Sequence, residues 1–61
     1  MATYARYIYT QDMMAKRVGN EWHKVEREYI GCYPSGRQTV VVISGCAVKA
    51  RLCEVVQVFE K

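Results

Sequence analysis

Apolar and polar positions alternate with a period of two along most of this chain. In "TYARYIYTQ", Ala5, Tyr7 and Tyr9 fall on one side of an extended backbone and Tyr4, Arg6, Ile8 and Thr10 on the other. Tyrosine, isoleucine and threonine suit a pleated, half-buried surface, so the segment predicts a strand. The pattern is clearest in "RQTVVVISGCAVKARL". With Ser44-Gly45 as a two-residue turn, Ile43 faces Cys46, Val41 faces Val48 and Thr39 faces Ala50, all on one apolar side. The other side pairs Val42 with Ala47, Val40 with Lys49 and Gln38 with Arg51, turning polar away from the turn. Three consecutive valines crowd a helix and fit a strand.

Two segments have a rival helical reading. From Val48 onward, Val48, Leu52, Val55, Val56 and Phe59 make a helical stripe. The strand is preferred because Val55, Val56 and Val58 are β-branched and no strong helical stop follows. In "AKRVGNEWHKVE", Gly19-Asn20 reads as a hairpin turn that sets Arg17 against Trp22, Lys16 against His23 and Met14 against Val25. The alternative is a helical stripe of Met14, Val18, Trp22, Val25 and Tyr29, in which Gly19 would cost about 1 kcal/mol. A shorter helix capped by Asn20 and ended by Gly31 avoids that cost. The hairpin is preferred because the rest of the chain reads as strand. "GCYPSGRQ", residues 31–38, is expected to be a loop, with Pro34 at the second position of a β-turn. The fold expected is all-β, a small barrel of about five strands in a single domain over residues 1–61. The alternative is α+β with helices near 20–30 and 47–60.

Size changes the picture more than charge does. At 61 residues a lone core is marginal, and a second copy would add apolar burial. The hydrophobic fraction of 51% fits a folded domain. No apolar run reaches the roughly 18 residues of a membrane span. The segment "MATYARYIYTQ" lacks an apolar stretch with a cleavage site. A cytoplasmic protein with no membrane association is therefore expected. Nine basic residues against six acidic give a net charge of +3, too mild to be a nucleic-acid footprint by itself.

The half "EYIGCYPSGRQTVVVISGCAVKARLCEVVQVFE" resembles the end of an SH3-like small β-barrel. "TVVVI" and "AVKARL" would be its hairpin, "CE" its tight turn and "VVQVF" its closing strand. The resemblance implies a barrel without exposed edges. It does not select a function, because such barrels host peptide binding, nucleic-acid binding and enzymes.

The chemistry-bearing residues are few. His23, Cys32, Cys46 and Cys53 could in principle hold zinc, but no C-x-x-C pair is present and the intervals are irregular. Reduced thiols, no metal and no cofactor are expected. His23 is expected to face solvent between Trp22 and Lys24. No phosphate loop, H-E-x-x-H helix or G-x-S-x-G elbow occurs, so a lone subunit is expected not to be an enzyme. Glu21, Glu26 and Glu28 alternate with Lys24 and Arg27 and read as a solvated face. The remaining constellation is basic and aromatic. Arg6 sits among Tyr4, Tyr7 and Tyr9, Arg17 lies beside Trp22, Arg37 follows Tyr33, and Lys49 and Arg51 project together from the last hairpin. Cations meeting phosphates while rings stack on bases is how single-stranded nucleic acid is held.

These residues predict a non-enzymatic binding module that takes nucleic acid through Arg6, Arg17, Trp22, Tyr33, Arg37, Lys49 and Arg51. The alternative is a protein-interaction or homo-oligomer-forming adaptor using Trp22, Tyr29, Tyr33 and Pro34 as an aromatic groove. Strand edges near Thr3 to Thr10 or Val55 to Phe59 are further candidates for joining a second copy. The small size would suit an accessory protein of a phage or other mobile element.

Overall fold

A computed structural model describes residues 1–59. The alternating first segment forms β1 (Ala2–Tyr7), and its Ala5 and Tyr7 side chains are buried. Then follow α1 (Met13–Val18), β2 (Trp22–Lys24), β3 (Arg27–Tyr33), β4 (Gly36–Ile43), β5 (Cys46–Lys49), a 3-10 turn at Ala50–Leu52, and β6 (Cys53–Val58). The strands make two antiparallel three-stranded sheets, in the orders β2-β1-β6 and β3-β4-β5. The fold is all-β, with six strands rather than five.

The two sheets share one extended run of chain. Val25 N–H donates to the Thr3 carbonyl and Glu26 N–H to the Val42 carbonyl, each at 2.8 Å. The backbone thus leaves the first ladder and enters the second with no unpaired interval, as buried peptide groups require. Between the sheets lies the core: Ala5 and Tyr7 from β1, Val41 and Ile43 from β4, Val48 from β5, and Val18 from α1.

The Ser44-Gly45 hairpin has the expected register, with Ile43 opposite Cys46, Val41 opposite Val48, Val42 opposite Ala47 and Val40 opposite Lys49. Ser44 and Gly45 have φ of 50° and 75°, the pair of positive values that a twist-matched hairpin turn needs. The outer pairs Thr39–Ala50 and Gln38–Arg51 do not form, because β5 ends at Lys49. The chain coils instead through Ala50–Leu52, where Leu52 packs against the core and its carbonyl accepts the Ile8 N–H at 3.2 Å. That bond starts the β1–β6 ladder, so Cys53 and Glu54 begin the last strand rather than forming the tight turn. The helical reading of 47–60 is overturned over its described part; residue 60 lies outside the described residues.

The Gly19-Asn20 hairpin does not exist, and neither do its pairs Arg17–Trp22, Lys16–His23 and Met14–Val25. Asp12 caps a helix that begins earlier than expected: its carboxylate accepts the Met14 N–H at 3.0 Å. Gly19, at φ 71°, ends that helix by donating its N–H to the Ala15 carbonyl at 2.9 Å. Met14, Ala15 and Val18 then face the core on one stripe of the six-residue helix. The longer helix over 20–30 is likewise absent, its residues being taken into β2 and β3. The loop expected over 31–38 narrows to Pro34-Ser35, since β3 runs to Tyr33 and β4 starts at Gly36. Among the described residues no helix is long and apolar enough to cross a membrane.

Ile43 is fully buried at the end of β4, next to the Ser44-Gly45 turn. Ile43→Ala is expected to lower unfolding free energy by about 2–5 kcal/mol, the range for a truncated core side chain. The exposed Arg17→Ala should stay within about 0.5 kcal/mol. Urea denaturation of both variants measures the difference.

Candidate functional site

Strand alternation decides which expected residues meet. On β3, Arg27, Tyr29, Gly31 and Tyr33 share one side, and the ladder adds Gln38, Val40 and Val42 from β4 and Lys49 and Ala47 from β5. Val41, Ile43 and Val48 point the other way into the main core cluster, while on this side Val40 is itself buried and the β3 residues Arg27 and Tyr29 are exposed. Arg27 stands 5.3 Å from the Tyr29 ring centre and Lys49 Nζ 4.5 Å from that of Tyr33. Each contact is worth about 0.5–1 kcal/mol at an exposed site. Tyr29 and Tyr33 are separated by about 13 Å of strand.

Among the described residues this face carries two cations and no carboxylate. Glu28, opposite Val41, points to the reverse side. Glu26 turns its carboxylate to the hairpin turn, where Oε2 accepts the Gly45 N–H at 2.9 Å. Among the described residues neither Arg27 nor Lys49 has an ion-pair partner; the one ion pair is Arg6–Glu54. Sequence reading missed Arg27 by grouping it with its neighbouring acids. The period of two in "REYIGCY" was the signal that separates it from Glu28.

A glycine makes the platform possible. A Cβ at Gly31 would come within 2.9 Å of Tyr33 Cε2 and 3.1 Å of Val40 Cγ2. The Tyr33 ring therefore lies close over bare backbone, and the Lys49 ammonium sits on that ring.

Beside this face, a cleft of about 240 Å³ is lined by Tyr7, Asp12, Met14, Tyr33, Lys49 and Leu52 among others. The buried Tyr7 hydroxyl donates to the Asp12 carboxylate. Burial, reinforced by that bond, pushes the Tyr7 phenol up to about 12. The Met14 N–H, together with Tyr7, holds the Asp12 carboxyl below its usual range.

The other expected site residues are dispersed. Arg6 and Trp22 meet on the outer side of the first sheet, with the guanidinium 5.0 Å from the ring centre. Trp22 thus takes Arg6, not Arg17, as its cation, and Glu54 offsets the charge of Arg6. Tyr7 lies on the buried side, away from Arg6. Arg17 is exposed on the last turn of α1. Arg37 pairs with Cys32 and so projects opposite to Tyr33. Arg51 is exposed on the 3-10 turn and does not accompany Lys49 on a strand. Of the four residues expected to form a groove, Tyr29 and Tyr33 share a side, Pro34 is in the adjoining turn, and Trp22 belongs to the other sheet. His23 is half-buried and hydrogen-bonds the Val18 carbonyl, which removes the solvent-facing placement. Among the described residues no three His, Cys, Asp or Glu side chains come together.

Gly31→Ala should displace Tyr33, and the ring-current shift of the Lys49 side-chain protons in NMR spectra should diminish. Alkaline titration followed by ultraviolet absorbance should show Tyr7 ionising at about 12. Because its folded pKa lies above the unfolded value, the stability it contributes is complete below about 10 and is lost as pH rises toward 12. Tyr7→Phe should abolish that alkaline dependence. Comparison with protein-family models, curated proteins and solved structures finds no match to this chain.

Proposed function

We propose that this chain is a non-enzymatic SH3-like barrel that binds single-stranded nucleic acid on the outer side of the β3-β4-β5 sheet. The observation that carries the reading is the pairing of two tyrosines with two cations on a sheet side that, among the described residues, bears no carboxylate of its own, Asp12 standing across the adjoining cleft. Tyr29 and Tyr33 offer flat faces for two bases that are not adjacent in the bound strand, and Arg27 and Lys49 meet its phosphates. Affinity of this kind tolerates sequence, since every base has a π-face. The SH3-like likeness is supported by the hairpin, the short 3-10 turn after it and a last strand that returns to pair with β1. A cytoplasmic setting fits a partner found there.

The first sheet offers a weaker surface for the same partner. Its Arg6 is already bound to Glu54, and that carboxylate would repel a phosphate. The aromatic groove of Trp22, Tyr29, Tyr33 and Pro34 is less well supported, because Trp22 stands on the other sheet.

Fluorescence anisotropy with labelled single-stranded oligonucleotides tests the reading. Tyr29→Ala and Tyr33→Ala should each weaken binding by about 1–3 kcal/mol. Lys49→Gln should reduce the slope of log affinity against log salt by about 0.7, one phosphate contact. Arg6→Gln should bind nearly as the unsubstituted chain does. Absence of binding by that chain at low salt would reject the proposal.

A further inference from the structure

Three of the four sheet edges are protected, and β6 is the exception. β2 has only three residues, and β5 has four before it coils into the 3-10 turn. β3 is longer but carries Arg27, Glu28 and Gly31. Short length, charge and glycine are the devices by which edges avoid pairing. β6 has six residues and one charge, Glu54, which Arg6 already holds. From Val55 to Phe59 there is no charge, proline or glycine. Val55, Val56 and Val58 are 41–43% exposed, and Phe59 is 87% exposed.

The hydrogen-bond phase of this edge can be read from its neighbours. The Ile8 N–H to Leu52 carbonyl bond fixes the bonded pairs of the β1–β6 ladder as every second pair from there. Arg6–Glu54, Tyr4–Val56 and Ala2–Val58 therefore exchange bonds. On the other edge of β1, the Val25 N–H to Thr3 carbonyl bond follows the same alternation. Cys53, Val55 and Gln57 consequently turn their peptide groups outward, and the Cys53 N–H is taken by the Ala50 carbonyl. Among the described residues Val55 and Gln57 each present a donor and an acceptor with no partner, on an apolar strand.

We propose that β6 pairs antiparallel with β6 of a second copy, with Val56 on the two-fold axis, joining the two first sheets into one six-stranded sheet. A regular antiparallel ladder sets outward-facing residues opposite one another, so the axis must pass through a residue. An axis at Val55 runs the incoming strand against the 3-10 turn and brings the two Glu54 carboxylates closer. An axis at Gln57 leaves only Val56–Val58 of β6 in the ladder. The axis at Val56 uses Glu54–Val58 entire. Val55 then exchanges both bonds with Gln57 of the second copy, and Glu54 lies beside its Val58, so no like charges oppose. Val56 meets its own copy as a non-bonded pair, with Cα atoms about 4.5 Å apart. A second copy suits this edge better than a charged partner would, because the run is uncharged and pairs with itself in a single best register. The outer side of the β3-β4-β5 sheet stays uncovered. The proposal does not depend on nucleic-acid binding.

Sedimentation equilibrium of the full chain from micromolar to millimolar concentration tests the association. The unsubstituted chain is expected to approach twice its 7.1 kDa mass. V56K, which sets two ammonium groups against each other across the axis, is expected to remain at the monomer mass with an unchanged circular dichroism spectrum. V56C is expected to form, on mild oxidation, a disulfide joining the two introduced thiols, since their separation falls within disulfide range. An I30C control on the exposed reverse side of β3 should not cross-link comparably. A chain that stays monomeric at millimolar concentration overturns the proposal. So does a V56K variant that still dimerises, or a V56C variant that cross-links no faster than I30C.

Discussion

The turn at Ser44-Gly45 is the constraint on which the rest of the molecule depends. Two successive residues with positive φ join β4 to β5 with the twist that the paired strands already have. Because side chains alternate, a slip of one residue there would send Val41, Ile43 and Val48 to solvent. With the register as it is, those three form the floor on which Ala5, Tyr7 and Val18 pack. Glu26 holds the turn from the neighbouring corner through the Gly45 N–H. That bond ties the hairpin to the point where the chain passes from one sheet to the other.

The same alternation shapes the candidate binding surface. Along β3 it sorts a run of mixed charge into a side with Arg27, Tyr29 and Tyr33 and a reverse side with Glu28, Ile30 and Cys32. The β4–β5 register then delivers Lys49 to the Tyr33 ring. No residue on this face had to be selected for its neighbours in sequence. Its composition follows from parity along three strands, fixed by the turns at Pro34-Ser35 and Ser44-Gly45.

The cation–aromatic pairs on the two sheets differ in what surrounds them. Arg6 has both Trp22 and Glu54, so its charge is used within the molecule. Among the described residues Arg27 and Lys49 have tyrosine rings and no ion-pair partner, and a contact of about 0.5–1 kcal/mol is readily exchanged for a phosphate. The first sheet therefore uses its cation within the fold, while the second keeps, among the described residues, rings and cations without an ion-pair partner.

The local sequence determined the strands whose signal is short-ranged. The alternation from Thr3 to Tyr7 and the pairing of Val40–Ile43 with Cys46–Lys49 are properties of neighbouring residues and one turn and are found as read, whereas the strand expected to continue through Gln11 ends at Tyr7. Tertiary structure decided the rest. Asp12 and Gly19 are strong helix boundaries, yet six residues do not form a stable helix without a core to receive Met14, Ala15 and Val18. The end of β5 at Lys49 was illegible because the bond that draws the chain away, Ile8 to Leu52, joins residues far apart in sequence. Arg37 fell on the reverse side for a similar reason: a two-residue turn at Pro34-Ser35 set its parity where a longer loop was expected. Periodicity fixes what a residue is beside along its own strand. Only the packing of strands from distant parts of the chain fixes which side faces solvent, and with it which cations stand over which rings.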